Sequence, residues 1–166
     1  RSMFKLWLQR SDPQFAYTDG LVRGLLEGDP GTVQETLEHI LLKAMSYFDA
    51  GGDKPEKLYH GLMLGLLLHL EKQYDIRSNR ESGFGRADML MIPKTPGKPG
   101  VVLEFKVPDK RKSVDATLKD AATQVRKRKY ATEVAAAGAD PVYEYAIVFD
   151  GKEAWVKLVD DALAVT

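Results

Sequence analysis

The chain has 166 residues, 44% hydrophobic and 29% charged, with Lys+Arg and Asp+Glu balanced at 24 each and no cysteine. That length suits one domain able to bury roughly two-thirds of its unfolded surface. The charge balance excludes recruitment of a polyanion by overall field alone. The missing thiols exclude disulfide frameworks and thiolate metal sites, and fit a reducing, cytoplasmic setting.

Residues 3–50 read as helical. The opening Arg1-Ser2-Met3 has the look of an expression remnant, so the chain reads as one domain, 1–166, taken from a longer protein. Its parts are an N-terminal helical segment (1–50), a core (54–150) and a C-terminal extension (151–166). Asp29 stands before Pro30 at a helix start, and Val33, Leu37, Ile40, Leu41, Ala44 and Phe48 follow at helical spacing on one stripe. A further helix opens with Asp53 as N-cap and Glu56 three residues on, and is apolar nearly all round to Leu70, so it must be covered on most sides. Its most apolar run, Gly61 to Leu70, is far shorter than the ~20 residues a bilayer demands, which predicts no membrane partner.

The period then changes. Residues 75–82, 86–92, 101–107 and 142–149 are short, rich in β-branched and aromatic residues, and bounded by Gly, Pro or Asp, as strands are. Gly83 and Gly85 fit a tight turn between the first two. Between the third and fourth lies an Ala- and Lys/Arg-rich helix, about Val114 to Ala137, ended by Gly138. The order helix, strand, strand, strand, helix, strand predicts an α/β (α+β) fold with a mixed sheet flanked by helices, preceded by extra N-terminal helices.

Charge is unevenly placed. From Lys106 to Tyr130 nine basic residues face Asp109, Asp115 and Asp120. Such a window is either a solvated helix face or a local footprint for a polyanion, with Lys119, Arg126, Lys127, Arg128 and Lys129 as the nucleic-acid-binding candidates.

The second and third strands carry unexpected acids. Alternation puts Glu104 and Lys106 on one face of the sheet and Leu103, Phe105 and Val107 on the other. A hairpin centred on Pro96 leaves Asp88 and Glu104 equidistant from the turn and therefore paired. Two adjacent carboxylates repel unless a cation relieves them. That cation is either Lys106, in a structural ion cluster, or a hard divalent ion held by oxygen ligands.

Read together, "ESGFGRAD", "VVLEFKV" and "AATQVRKRKYA" resemble the PD-(D/E)XK nuclease superfamily, in the branch found behind ATPase-like domains of bacterial proteins. The resemblance spans essentially the whole chain. It implies a restriction-endonuclease-like core, hydrolysis of DNA with Mg²⁺ or Mn²⁺, metal ligation by Asp88, Glu104 and the carbonyl of Phe105, and Lys106 as catalytic lysine. Gln124 and Tyr130 match a family glutamine and tyrosine. Six residues turn a continuous helix by about 600°, so these two should not both face one site, and Gln124 is the stronger candidate. His60 and Glu56 share a helix face that could look toward the carboxylates, and Glu81 could support the site or pair with Arg80 or Arg86. No phosphate-binding Gly-rich loop is present, so an ATPase-like partner domain would lie N-terminal to this sequence. The rival reading is a catalytically inactive nucleic-acid-binding or regulatory module attached to that domain. No heptad or interface stripe decides whether a homodimer forms.

Overall fold

The computed structural model describes residues 16–47, 55–81, 86–108 and 111–159. Among the described residues three helices come first: α1 (Ala16–Glu27), α2 (Pro30–Tyr47) and α3 (Pro55–Leu68). Strands β1 (Tyr74–Glu81), β2 (Arg86–Pro93) and β3 (Gly100–Lys106) follow. Helices α4 (Val114–Arg128) and α5 (Tyr130–Ala136) then lead to β4 (Val142–Asp150) and β5 (Glu153–Leu158). The expected Phe48 of the α2 stripe, the Asp53 cap and the Gly83–Gly85 turn lie outside the described residues. None of the described helices is long and apolar enough to cross a membrane.

One five-stranded sheet runs in the order β1-β2-β3-β4-β5. Strands β1, β2 and β3 are antiparallel neighbours, β3 and β4 are parallel, and β4 and β5 are antiparallel. The mixed sheet follows from connection length. Short loops join β1 to β2 and β2 to β3, whereas the two-helix segment between β3 and β4 allows the chain to return and run parallel.

The alternation of side chains builds two different cores. On one face Met89, Met91, Val101, Leu103, Phe105, Tyr145, Ile147 and Phe149 pack with Leu21 and Leu25 of α1, Val33, Leu37 and Leu41 of α2, and Tyr59, Met63 and Leu67 of α3. On the other, Leu90, Ile92 and Val102 meet Val125 and Val134, and Ala146 and Val148 meet Leu118, Ala121 and Ala122. The helical sandwich thus encloses both faces, and three fully buried rings tie the first layer down. Tyr145 directs its hydroxyl at the carbonyls of Gly24 and Leu25, 3.0 and 2.9 Å away, and burial holds its phenol well above the usual range. Tyr59 donates to Gly151 O at 2.7 Å and stacks on Phe149 with ring centroids 4.5 Å apart.

Local signals explain the helix ends. Asp29 caps α2, accepting from Thr32 N at 3.1 Å and the Thr32 hydroxyl at 2.6 Å, and those bonds hold its carboxyl below the ordinary carboxylate value. Ser113 caps α4 by accepting from Ala116 N at 3.1 Å.

Two expectations need correction. The segment after Asp150 includes a fifth strand, not merely an extension: Gly151 and Lys152 turn the chain so that Asp150 pairs with Glu153, and β5 continues along β4. The basic helix is also not continuous from 114 to 137. It breaks at Lys129, which adopts a left-handed conformation (φ 55°, ψ 29°) and separates α4 from α5.

Candidate active site

The hairpin register places Asp88 directly opposite Glu104. Asp88 is therefore flanked by Asn79 on β1 and Glu104 on β3, while Glu104 is flanked by Asp88 and by Ala146 on β4. Directly paired residues on antiparallel strands have Cα atoms about 4.5–5.5 Å apart, so the two acids are neighbours on one surface. Lys106 lies two residues further along β3 on that same face, roughly 6.6 Å from Glu104 at strand rise, opposite Arg86 and Val148. It is half-buried.

Burial makes this arrangement expensive. Asp88 is 3% exposed and Glu104 0%. Both carboxylate oxygens of Glu104 are buried and make no hydrogen bond, and Oδ1 of Asp88 is buried as well. A carboxylate taken out of water without hydrogen bonds loses solvation that a leucine would not lose, which is the reason buried acids are normally paired or bound to a cation. Among the described residues no group of three His, Cys, Asp or Glu side chains converges. The acidic donor set is a pair, to which the family resemblance would add the backbone carbonyl of Phe105. Carboxylate and carbonyl oxygens with vacant positions for water match the needs of Mg²⁺ or Mn²⁺, and the hydrogen-bond-free oxygens of Glu104 fit such an ion.

Helices α4 and α5 roof this face. On α4, Leu118, Ala122 and Val125 form a buried line. Arg126 flanks that line on the β4–β5 side, where its guanidinium lies 3.3 Å from Glu144 and 3.3 Å from the Val159 carbonyl. Thr117 and Gln124 flank the opposite side of the helix, the side away from Glu144 and β5. Gln124 is half-buried there. Tyr130, the first residue of α5, donates a hydrogen bond from its hydroxyl to Oδ2 of Asp88 at 3.1 Å.

The tyrosine's arrival overturns the rotation expected from spacing. That expectation assumed one unbroken helix, but the left-handed turn at Lys129 resets the direction, and Tyr130 reaches the carboxylate pair from a second helix. Sequence reasoning ranked Gln124 above Tyr130 because nothing marks Lys129 as a break: it is neither glycine nor asparagine.

His60 is placed differently from expectation. Its Nε2 lies 2.5 Å from Ser78 Oγ, and its ring sits 6.0 Å from that of Phe105. Ser78 pairs with Met89, so His60 covers the Met89–Phe105 face, with the sheet between it and the carboxylates. Helical spacing fixed which side of α3 His60 occupies, but not which face of the sheet α3 covers. Arg126, a nucleic-acid-binding candidate, is exposed, and its guanidinium lies 3.3 Å from Glu144, which is 9% exposed. Lys119 and Lys129 are exposed. The side chains of Glu56, Glu81, Lys127 and Arg128 lie outside the described residues.

A family model described as the PD-(D/E)XK nuclease superfamily matches residues 54–158. No curated protein and no solved structure matches the chain.

Proposed function

The chain belongs to the PD-(D/E)XK nuclease superfamily, and on that premise we propose that it is a Mg²⁺- or Mn²⁺-dependent nuclease hydrolysing phosphodiester bonds in DNA. The observation that carries this reading is Glu104, fully buried across from Asp88 with neither oxygen hydrogen-bonded. In the absence of a ligand, such a residue only weakens the fold.

In this reading Asp88, Glu104 and the Phe105 carbonyl hold the cation. Bound there, a hard divalent ion supplies Lewis acidity to a phosphoryl oxygen and eases deprotonation of the attacking water. Lys106, on the same face and half-buried, places its ammonium where negative charge grows on the phosphate in the transition state. Gln124, on the flank of α4 opposite Arg126, orients phosphate or water through its amide. Lys119, Lys127 and Arg128 would hold the flanking backbone, an interaction that positions DNA without reading its sequence and weakens with salt. The finer assignment, to the branch carried behind ATPase-like domains and with such a domain as partner, rests on the sequence resemblance alone.

A second reading is favoured by one observation: at 3% and 0% exposure the two acids offer a phosphate little access. An inactive nucleic-acid-binding or regulatory module would keep them so. Plasmid DNA incubated with the protein and Mn²⁺, beside Lys106→Ala, separates the two. Cutting by the parent and loss of at least about 100-fold in the variant, the scale of one transition-state charge contact, supports the nuclease. DNA binding without cutting by either supports the module.

A further inference from the structure

Tyr130 reaches Asp88 only because the chain turns sharply at Lys129. In an unbroken α4, position 130 would sit one turn beyond Arg126, on the flank that faces Glu144 and Val159. Glu144 is on β4, two strands from β2, or roughly 9–10 Å across the sheet. The left-handed residue moves the tyrosine across that distance. A non-glycine residue at positive φ is uncommon and persists where its surroundings enforce it.

The surroundings are visible. Position 100 on β3 is glycine, and a Cβ there would stand 2.4 Å from Val134 Cγ1 of α5 and 2.7 Å from Ala139 Cβ. The helix therefore rests in a notch that only a missing side chain provides. Glu133 of α5 accepts from Arg77 of β1 at 2.9 Å. Beyond the helix, Gly97 N donates to Gly138 O at 2.8 Å and Asp140 N to Lys98 O at 2.9 Å, tying the end of α5 to the β2–β3 turn.

We propose that the left-handed corner at Lys129, seated by the notch at Gly100, is a positioning device that aims the Tyr130 hydroxyl at Asp88 and thereby tunes the cation affinity of the Asp88–Glu104 pair. The inference rests on the metal-site reading above but assigns Lys129 and Gly100 a role that does not depend on touching the cation. Groups hydrogen-bonded to a metal's ligands commonly set its affinity by 10–100-fold.

The test uses two probes. In Mn²⁺ titration calorimetry, Tyr130→Phe weakens binding by about tenfold or more. Lys129→Val, which disfavours the left-handed conformation, weakens it comparably, whereas Lys129→Gly removes the same charge, keeps the corner and binds as the parent does. Added to Tyr130→Phe, Lys129→Val has little further effect, because the hydroxyl it misdirects is already gone. In the metal-free protein, Lys129→Val and Gly100→Ala each speed amide exchange across Tyr130–Ala136 while leaving β4 protected. Equal losses of affinity in Lys129→Gly and Lys129→Val, additive losses in the double variant, or unchanged exchange in α5 would overturn the proposal. If the parent takes up no Mn²⁺, the metal-site reading fails, and the corner's aiming of the tyrosine is decided by the exchange measurement alone.

Discussion

Glu104→Met replaces a buried, hydrogen-bond-free carboxylate by an unbranched apolar side chain of similar length, between Asp88 and Ala146. In metal-free buffer the variant should be the more stable protein. Replacing buried charged groups by well-packed apolar ones gains about 1–4 kcal/mol, and a chain of this size shifts its melting temperature by about 2–4 °C per kcal/mol. The expected rise is therefore roughly 2–16 °C. Manganese should act against that ranking. At a hundred times its dissociation constant a ligand stabilises by about 2.7 kcal/mol, worth about 5–10 °C here, and only the parent retains the site. Differential scanning fluorimetry, with EDTA and then with Mn²⁺, reads both effects. A metal-free melting temperature below that of the parent, or an equal Mn²⁺ shift in the variant, would refute the view that Glu104 is held in the core for a cation.

Three further outcomes follow from the packing. Tyr145→Phe should lower the urea midpoint by an amount corresponding to about 1 kcal/mol, at the low end for a lost buried bond, because both carbonyls lose the hydroxyl but Gly24 O still accepts from Asp29 N. Arg126→Ala should destabilise the fold, by about 1 kcal/mol for the lost ion pair and hydrogen bond, more than it alters the salt dependence of DNA binding, since Arg126 contacts Glu144 and Val159. Asp29→Ala should lower the thermal midpoint at neutral pH. Because the folded-state pKa of Asp29 is depressed, its charge-dependent stabilisation is present above the ordinary value of 3.8 and lost as pH falls through the lower folded value. Melts from pH 7 to pH 2.5 should show the gap between parent and variant narrowing at the acid end.

The register of the acidic pair was legible because alternation and loop symmetry have no freedom: slipping β2 by one residue would turn Met89 and Met91 out of the core. The fold class followed from the change of period after Leu70. What was missed had different causes. Strand β5 has only six residues, yet its signal was present, because Asp150 and Gly151 precede it and the two-residue Gly151–Lys152 turn, with Gly151 at φ 60°, joins β4 to β5. The corner at Lys129 had no signal of its own, since the neighbours at Gly100 and Arg77 that enforce it are about 30 and 50 residues away in sequence. Tertiary contact decided the conformation there, overriding a strongly helical local sequence. Arg126 illustrates the same limit: composition counts it among the basic residues, but only the fold brings Glu144 beneath it.

Helices α1 and α2 lie outside the span matched by the family model, yet Leu21, Leu25, Val33, Leu37 and Leu41 are fused into the same core as Met91, Val101 and Tyr145. Inheritance and cooperative folding therefore divide this chain at different places. A fragment trimmed to begin at residue 54 would keep Asp88, Glu104 and Lys106 while laying bare a greasy wall of sheet. It would cling to itself rather than stay dispersed, so α1 and α2 are as necessary to the fold as the segment that the family model matches.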